Sequence, residues 1–294
     1  MTIKDILDTK KVSISFEIFP PKQTDDCTKI FQTAEELAAL HPDFMSITYG
    51  AGGSTRVNTA EIAAHIQSLS TSSLAHLTCI GNSEDEVYDA IQGLKARSIQ
   101  NVLALRGDLP DGNADATVPG FKHASDLVKV LKKEGFCVGG ACYPEGHPES
   151  PNRMQDIENL KYKVDNGVDF LTTQMFFENT MFYSFLYRLQ SAGIRLPVIA
   201  GIMPITSPNQ IKRMIELSDA FVPEKLLAMC DRFKDSPEAL RQAGIAYATE
   251  QIIDLISNGV RGIHIYTMNR PSIARAIMQN IDSILAASNG ATSA

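Results

Sequence analysis

The fold of this chain is decided by VSISFEIF (residues 12–19) and by seven runs of the same kind that follow it. The runs are short and mostly apolar, and most of them carry a polar residue inside or at the carboxyl end. The later runs are FMSITYG (44–50), SLAHLTCI (73–80), NVLALRGD (101–108), CVGGACYP (137–144), FLTTQMFF (170–177), PVIAGIMP (197–204) and GIHIYTMN (262–269). Because helical patterns separate them, the order predicts an α/β fold, a (β/α)8 TIM barrel of parallel strands.

Local signals indicate where several of the intervening helices begin. Apolar residues recur on one face of 28–40, which predicts a helix that packs on a sheet. Ser83 followed by Glu86 predicts a capping box at the start of another helix. Farther along, Ser125 or Asp126 is expected to be the N-cap of the helix that precedes the fifth run.

The interval between the seventh and eighth runs is about twice as long as the others, which start roughly every 27 to 36 residues. It contains helical patterns at 207–219, 223–233 and 237–258, so we expect an extra helix or two between strands 7 and 8. Barrels of this kind form one unit of about 250 residues or more, which predicts a single catalytic domain over 1–294. The small, polar tail at 286–294 is expected to be frayed.

Bulk composition excludes several classes of function. The net charge is −7 with no basic block, which argues against a nucleic-acid-binding protein. The five cysteines have neither CxxC nor metal-ligand spacing, so we expect free thiols in a reducing compartment and no metal site. No apolar run approaches the roughly 20 residues of a membrane span, and the first residues do not resemble a signal peptide. These features predict a cytoplasmic protein without a membrane partner.

Polar groups at the carboxyl ends of barrel strands face the active site. Glu17 is the strongest candidate for an active-site residue among them, because its apolar neighbours Phe16 and Ile18 lie on the opposite face of the strand. A carboxyl group near the barrel mouth, in a site of low dielectric constant, favours its neutral form and suits a general acid. An ion pair that closes the barrel, for example with an arginine, is the alternative.

The fourth run ends in Arg106-Gly107-Asp108, where the glycine lets the backbone approach a ligand. Arg106 could bind a phosphate, or it could pair with Asp108 inside a tight loop. His76 and His147 are better explained as hydrogen-bonding groups than as metal ligands, since no HxH or HExxH spacing occurs.

Three further positions stay open between a ligand and an ordinary role. Asp156, Asn159 and Lys163 recur at helical spacing, which fits either a solvated face or a phosphate or ribose clamp. Gln174 lies in an apolar run, and a buried amide needs partners. Arg270, beyond the last strand, could bind a carboxylate or form an exposed salt bridge. No Walker loop occurs and no GxGxxG follows a strand, so a dinucleotide would not be held in Rossmann fashion.

Taken together, the motifs resemble the methylenetetrahydrofolate reductase family, flavoproteins that reduce 5,10-methylenetetrahydrofolate to 5-methyltetrahydrofolate for methionine synthesis. The signatures occur in the family's order and cover nearly the whole chain. They are FEIFPPK, SITYGAGG, HLTCI, ALRGDLP, YPEGHPE, NLKYKVDNGVDFLTTQMFF, GIMPI and HIYTMNR.

The resemblance implies bound FAD, with NADH or NADPH as co-substrate. By motif, it implies that the FAD site contains Thr48, Tyr49, Ala51, His76, Arg106, Gly107, Asp108, Ala124, Tyr143, His147, Asp156, Asn159 and Lys163. It implies that the folate site contains Glu17, Asp108, Gln174, Gln210, Tyr266 and Arg270. It also implies a homo-oligomer. We expect the bacterial-type form of the family, because the sequence shows no regulatory domain after the barrel.

The implied reaction is a ping-pong hydride transfer. The nicotinamide nucleotide reduces FAD and leaves. Glu17 then protonates N10 of the folate, and the ring opens to a 5-iminium cation. Hydride reaches the exocyclic carbon while Asp108 stabilises the cation.

Two residues depart from the family pattern: Tyr162 stands beside Lys163, and His123 precedes Ala124. Another flavin barrel, a lyase or aldolase, and a non-catalytic folate or flavin binder are the competing interpretations.

Overall fold

Each of the eight predicted runs contains one strand of a closed barrel. The computed structural model describes residues 1–21, 27–49, 53–107, 120–207, 209–211 and 221–290, without the side chains of 53–58. Every strand pairs in parallel with the next, and the last pairs with the first, which confirms the (β/α)8 barrel. The strands are β1 (Ser13–Ile18), β2 (Phe44–Ile47), β3 (Ser72–Thr78), β4 (Asn101–Leu105), β5 (Cys137–Cys142), β6 (Phe170–Thr173), β7 (Val198–Ile202) and β8 (Gly262–Tyr266).

Helices follow the strands and cover the outside of the barrel. The described ones are α1 (Ile3–Thr9), α2 (Thr28–Ala38), α3 (Gly53–Ser68), α4 (Glu84–Ala96), α5 (Ala124–Lys133), α6 (Arg153–Asp165), α7 (Asn179–Ser191), α8 (Glu224–Phe233), α9 (Pro237–Ser257) and α10 (Pro271–Asn289). Both α8 and α9 lie between β7 and β8, which confirms the prediction of an additional helix there. Leu226 and Cys230 of α8 pack with Met175 and Met203, just beyond β6 and β7.

The start of α4 is as predicted, whereas the start of α5 is not. Ser83 Oγ accepts a hydrogen bond from the backbone N–H of Glu86 at 3.2 Å, and the Glu86 carboxylate accepts one from the N–H of Ser83 at 2.8 Å. For α5 the N-cap is His123 rather than Ser125 or Asp126. Asp126 contributes differently, since its carboxylate reaches back to the N–H of His123 at 3.2 Å.

The predicted fraying of 286–294 is wrong for its first four residues. Helix α10 continues to Asn289, whose side-chain amide pairs with both backbone groups of Val12, each at 3.0 Å. This contact ties the end of the chain's last helix to the entry of β1. Residues 291–294 lie outside the described part of the chain.

The barrel interior changes from apolar to polar along its axis. At the amino ends of the strands, the interior holds large apolar side chains such as Phe44, Phe170 and Ile199, and α1 packs against them. Toward the carboxyl ends, the inward positions of β1 and β3 hold the buried polar residues Glu17 and His76. The site is therefore expected at the carboxyl end, as in other barrels of this type.

Candidate functional site

The carboxyl group of Glu17 lies in a buried, polar layer inside the barrel. Glu17 is only 6% exposed, and strand register places it beside Ser46 of β2. Its Oε2 lies 3.6 Å from His76 Nε2 and 3.7 Å from His264 Nε2, and Ser46 Oγ donates to it at 3.5 Å. The ion pair with an arginine is therefore the wrong alternative, because within the described ranges the basic groups beside Glu17 are two imidazoles.

Burial determines the charge of the first imidazole. His76 is 6% exposed, and burial lowers its pKa to about 4, although the neighbouring Glu17 carboxylate acts in the opposite direction. The His76 ring is therefore neutral near pH 7. This ring therefore gives Glu17 a polar neighbour without a positive charge.

Two contacts hold the second imidazole in place. His264 Nδ1 lies 2.7 Å from Ser15 Oγ, and His264 Nε2 lies 3.3 Å from Ser46 Oγ. The ring also stacks on Phe44, with centroids 6.1 Å apart. Serines on β1 and β2 thus fix the orientation of a ring on β8 against Glu17.

Tyr266 forms one wall of the polar layer. Its hydroxyl donates to the carbonyl oxygen of Thr173 at 2.7 Å, and burial raises the pKa of the phenol well above its ordinary value. The absence of a side chain at Gly201 makes room for this ring, because a Cβ there would lie 2.7 Å from the Tyr266 hydroxyl oxygen. The predicted folate contact Tyr266 is therefore neutral, with an edge-on ring contact to His264 at 5.2 Å between centroids.

A second group of predicted residues meets at the ends of β4 and β5. The Arg106 guanidinium binds both carboxylate oxygens of Glu149 and holds the pKa of that carboxyl below its usual value. The His147 ring meets the Tyr143 ring edge-on, with centroids 4.6 Å apart, and its Nδ1 accepts from the N–H of Glu149 at 3.1 Å. Burial also lowers the pKa of His147. Asp108, the other predicted partner of Arg106, lies outside the described residues.

Helix α6 adds a half-buried lysine next to this group. Lys163 Nζ donates to the carbonyl oxygen of Ala141 at 2.6 Å, and burial lowers its pKa. Asp156 is also buried and accepts from Ser150 Oγ at 3.1 Å, whereas Asn159 is exposed. The stripe on α6 is therefore not a uniformly solvated face, and two of its three members point toward the barrel.

A third group connects the ends of β7 and β8. The amide oxygen of Gln210 accepts from the N–H of Thr206 at 2.8 Å and from the N–H of Ser207 at 3.0 Å. Arg270 Nη1 donates to Thr206 Oγ1 at 3.0 Å. Two predicted folate contacts, Gln210 and Arg270, thus meet at one threonine. Gln174 lies apart from them and accepts from the neighbouring N–H of Met175 at 3.0 Å.

Three further predicted residues, Thr48, Tyr49 and Gly107, follow the carboxyl ends of β2 and β4. Thr48 follows β2, and its N–H donates to the carbonyl oxygen of Ile18 at 3.1 Å. The half-buried Tyr49 lines a cavity of about 270 Å³ together with His76. Gly107 has a φ of +90°, a conformation that favours glycine.

Ala124 is the first residue of α5, and Ala51 lies outside the described residues.

Sequence reasoning missed three residues of the polar layer: Ser15, Ser46 and His264. All three alternate with apolar residues in their runs, and this period of two is the signal that could have identified them.

Within the described residues, no group of three or more His, Cys, Asp or Glu side chains is arranged to hold a metal ion. No helix in those same ranges has the length and apolarity to cross a membrane. All five cysteines are free thiols.

Comparisons with known proteins agree with the geometry. The model of the family described as methylenetetrahydrofolate reductase matches residues 2–282. Methylenetetrahydrofolate reductase (NADH) 1 of Arabidopsis thaliana is 35% identical over 300 residues, covering 96% of this chain and 50% of the plant protein. The 5,10-methylenetetrahydrofolate reductase of Escherichia coli K12 is 34% identical over 273 residues, covering 92% of this chain and 91% of that protein.

The chain spans about half the length of its plant relatives and most of the bacterial one. A solved protein from Clostridium thermocellum, described as binding two copies of 5-methyl-5,6,7,8-tetrahydrofolic acid, has the same fold. Its TM-score is 0.69 at 16% identity, and the match covers 96% of this chain and 100% of that one.

Proposed function

This chain belongs to the methylenetetrahydrofolate reductase family, and from that premise we propose that it reduces 5,10-methylenetetrahydrofolate to 5-methyltetrahydrofolate. FAD is the proposed cofactor, and NADH or NADPH is the proposed electron donor in a ping-pong reaction. The enzyme would act on small molecules in the cytoplasm as a homo-oligomer, and its product would feed methionine synthesis.

The observation that carries the proposal is the placement of Glu17. Opening the five-membered ring of the substrate requires a proton at N10, which an acid beside the substrate has to supply. Glu17 is a buried carboxyl group with a neutral imidazole 3.6 Å away and a serine hydroxyl at 3.5 Å. Because it is a carboxyl group held among hydrogen-bonding side chains in the polar layer, Glu17 is the proposed general acid. Asp108 remains the proposed second catalytic group.

The residues around β4, β5 and α6 fit a dinucleotide cofactor. An ammonium group has three donors, and the bond to Ala141 is the single hydrogen bond of Lys163 within the described part of the chain. Two donors of the Lys163 ammonium group therefore stay available for an anionic group such as a pyrophosphate. Arg106, His147 and Asp156 would line the same ligand. When bound there, FAD would supply the hydride-transfer chemistry that these side chains lack.

The group around Thr206 fits the other end of the substrate. Arg270 is exposed, and its guanidinium is held at one edge by Thr206 Oγ1 at 3.0 Å. Its other donors suit the carboxylates of a folate glutamate tail. Gln210 and Gln174 are the proposed contacts to the rest of the folate, with Tyr266 as the wall beside the ring.

The deciding experiment is an anaerobic absorbance titration of the purified protein. We expect flavin bands that bleach on adding NADH or NADPH and return on adding methylenetetrahydrofolate, with 5-methyltetrahydrofolate as the product. A protein that takes up no FAD would contradict the cofactor assignment. A protein that is bleached but not reoxidised by the folate would be a different flavin barrel.

Substitution of the proposed acid gives the first prediction. Glu17→Gln removes the proton donor while keeping the shape of the side chain, so oxidation by the folate should slow by about 10²–10⁴-fold. Reduction by the nicotinamide nucleotide does not need this proton and should keep its rate. Stopped-flow measurement of each half-reaction separates the two.

Glu250→Gln is the matched control, because Glu250 is exposed and pairs with Lys225 on the outside of the barrel. It should leave both half-reactions unchanged. A Glu17→Gln protein that holds FAD and reacts with the folate at the normal rate would show that Glu17 is not the acid.

A further inference from the structure

Helix α9 has a glycine in its interior. Gly244 lies in the middle of this 21-residue helix and is buried. Glycine is less favourable than alanine inside a helix, because it loses more backbone freedom on folding. A buried glycine at such a position is explained when another part of the chain comes too close for a side chain.

The neighbour of Gly244 is the β7 segment, residues 203–207, which follows the seventh strand. A Cβ on Gly244 would overlap the carbonyl oxygen of Ile205 and lie 2.7 Å from its carbonyl carbon. Both atoms belong to the backbone, so no side-chain rotation relieves the overlap. Because nonbonded heavy atoms need at least roughly 3 Å, any side chain at position 244 would force α9 and the β7 segment apart.

Ile205 directly precedes the residue that holds a proposed folate contact. Arg270 Nη1 donates to the hydroxyl of Thr206 at 3.0 Å. Ile205 itself is 2% exposed and packs in the same apolar cluster as Leu240 of α9. A displacement of the Ile205 carbonyl group would therefore move Thr206 and the guanidinium bound to it.

Helix α9 is fixed on the other side of this contact. About one turn after Gly244, the hydroxyl of Tyr247 donates to the carbonyl oxygen of Phe177 at 2.8 Å. Farther along the helix, Gln251 Nε2 donates to the carbonyl oxygen of Phe176 at 2.9 Å. These two bonds anchor α9 to the chain beyond β6, whereas the β7 segment is neither helix nor strand. The β7 segment is therefore the part that would yield.

From this geometry we propose that Gly244 is a positioning residue for the tail of the folate substrate. Its missing side chain lets α9 set the position of the β7 segment, and through Thr206 it sets where the Arg270 guanidinium meets the tail carboxylates. The inference rests on the proposed function, since it takes Arg270 as the contact to the glutamate tail. It gives the helices between β7 and β8 a part in substrate recognition.

Gly244→Ala tests the proposal in the FAD-bound protein. The added Cβ should displace the β7 segment, so the methylenetetrahydrofolate concentration that half-saturates reoxidation of the flavin should rise by about 10–100-fold through weakened charged hydrogen bonds. The affinity for FAD and the rate of flavin reduction by the nicotinamide nucleotide should stay as in the wild type. Stopped-flow measurement of each half-reaction and fluorescence titration with FAD give these quantities.

Gly93→Ala is the matched control, because Gly93 lies inside α4 and a Cβ there would meet no other atom within 4 Å. It should change neither half-reaction. An unchanged half-saturating folate concentration in folded Gly244→Ala would overturn the inference and leave the proposed function in place. A wild-type protein whose reduced flavin does not react with the folate would overturn the proposed function, and the inference with it.

A double variant separates positioning from general damage to the site. If Gly244 acts through Arg270, adding Gly244→Ala to Arg270→Gln should raise the half-saturating folate concentration by no more than about twofold. Effects that multiply in the double variant would show that Gly244 acts elsewhere, and would overturn the inference.

Tyr247→Phe serves where Gly244→Ala does not fold. It removes the anchor at Phe177 without adding an atom against Ile205, so α9 can move away from the β7 segment. The half-saturating folate concentration should rise by roughly 2–10-fold, and this rise should disappear in the Arg270→Gln background. A folate response equal to that of the wild type would show that α9 does not position the β7 segment.

Discussion

At the scale of single residues, burial makes His76 a source of acid sensitivity. Its pKa falls from 6.5 to about 4 on folding, so between these values the unfolded chain binds a proton that the folded chain does not. The contribution of His76 to the free energy of unfolding is therefore largest above pH 6.5, and it decreases as the pH falls toward 4. From pH 7 to pH 5, the protonation of this one ring in the unfolded chain should lower the free energy of unfolding by about 2 kcal/mol.

Urea denaturation of the FAD-saturated protein at pH 7 and pH 5 checks this prediction. In His76→Gln the difference between the two pH values should be smaller than in the wild type by that amount. His41→Asn is the control, because His41 is exposed and asparagine tolerates its φ of 54°. An equal pH dependence in His76→Gln and the wild type would show that the ring is not held neutral.

The second residue-scale prediction concerns Lys163 and the cofactor. Lys163→Met keeps the length of the side chain and removes the charge, so the dissociation constant for FAD should rise by about 10–100-fold through the loss of charged hydrogen bonds. Lys161→Met is matched to it on the same helix, since Lys161 is also half-buried but pairs with Asp165 instead of facing β5. Fluorescence titration with FAD measures both. Equal affinities in the two variants would remove Lys163 from the site.

At the scale of elements, the sequence predicts what depends on local pattern. The eight strands and the Ser83–Glu86 cap follow from periodicity and from contacts within one turn, and the structure confirms them. The strand-end rule likewise places Glu17 and His76 in one layer, where their side chains lie within 4 Å.

The local sequence pattern does not predict contacts between elements that are distant along the chain. Arg106 binds Glu149, 43 residues away, and Asn289 binds Val12, 277 residues away. Neither partner is marked by the residues around it, because the pairing of β4 with β5 creates the first contact and the closure of the barrel creates the second. The same reason explains why His264 lies beside Glu17, since only the register that sets β8 beside β1 brings the two side chains together.

At the scale of the whole molecule, the two ends of the barrel have separate tasks. Helix α1 closes the amino end, where Leu7 is 2% exposed and packs in the same apolar layer as Phe44 and Phe170. The polar layer with Glu17 lies at the opposite end. Side chains at the closed end should therefore contribute to stability and not to ligand binding.

Leu7→Ala tests this division of tasks. Removing a fully buried leucine should lower the free energy of unfolding by about 2–5 kcal/mol, because both buried apolar surface and packing contacts are lost. Leu227→Ala on α8 is the matched control, since Leu227 is 44% exposed and should change that free energy by no more than about 0.5 kcal/mol. Urea denaturation measures both, and FAD titration well below the unfolding transition should give the wild-type affinity for each. A weaker FAD affinity in folded Leu7→Ala would mean that the two ends of the barrel are energetically coupled, while a loss as small as that of Leu227→Ala would mean that α1 does not close the barrel.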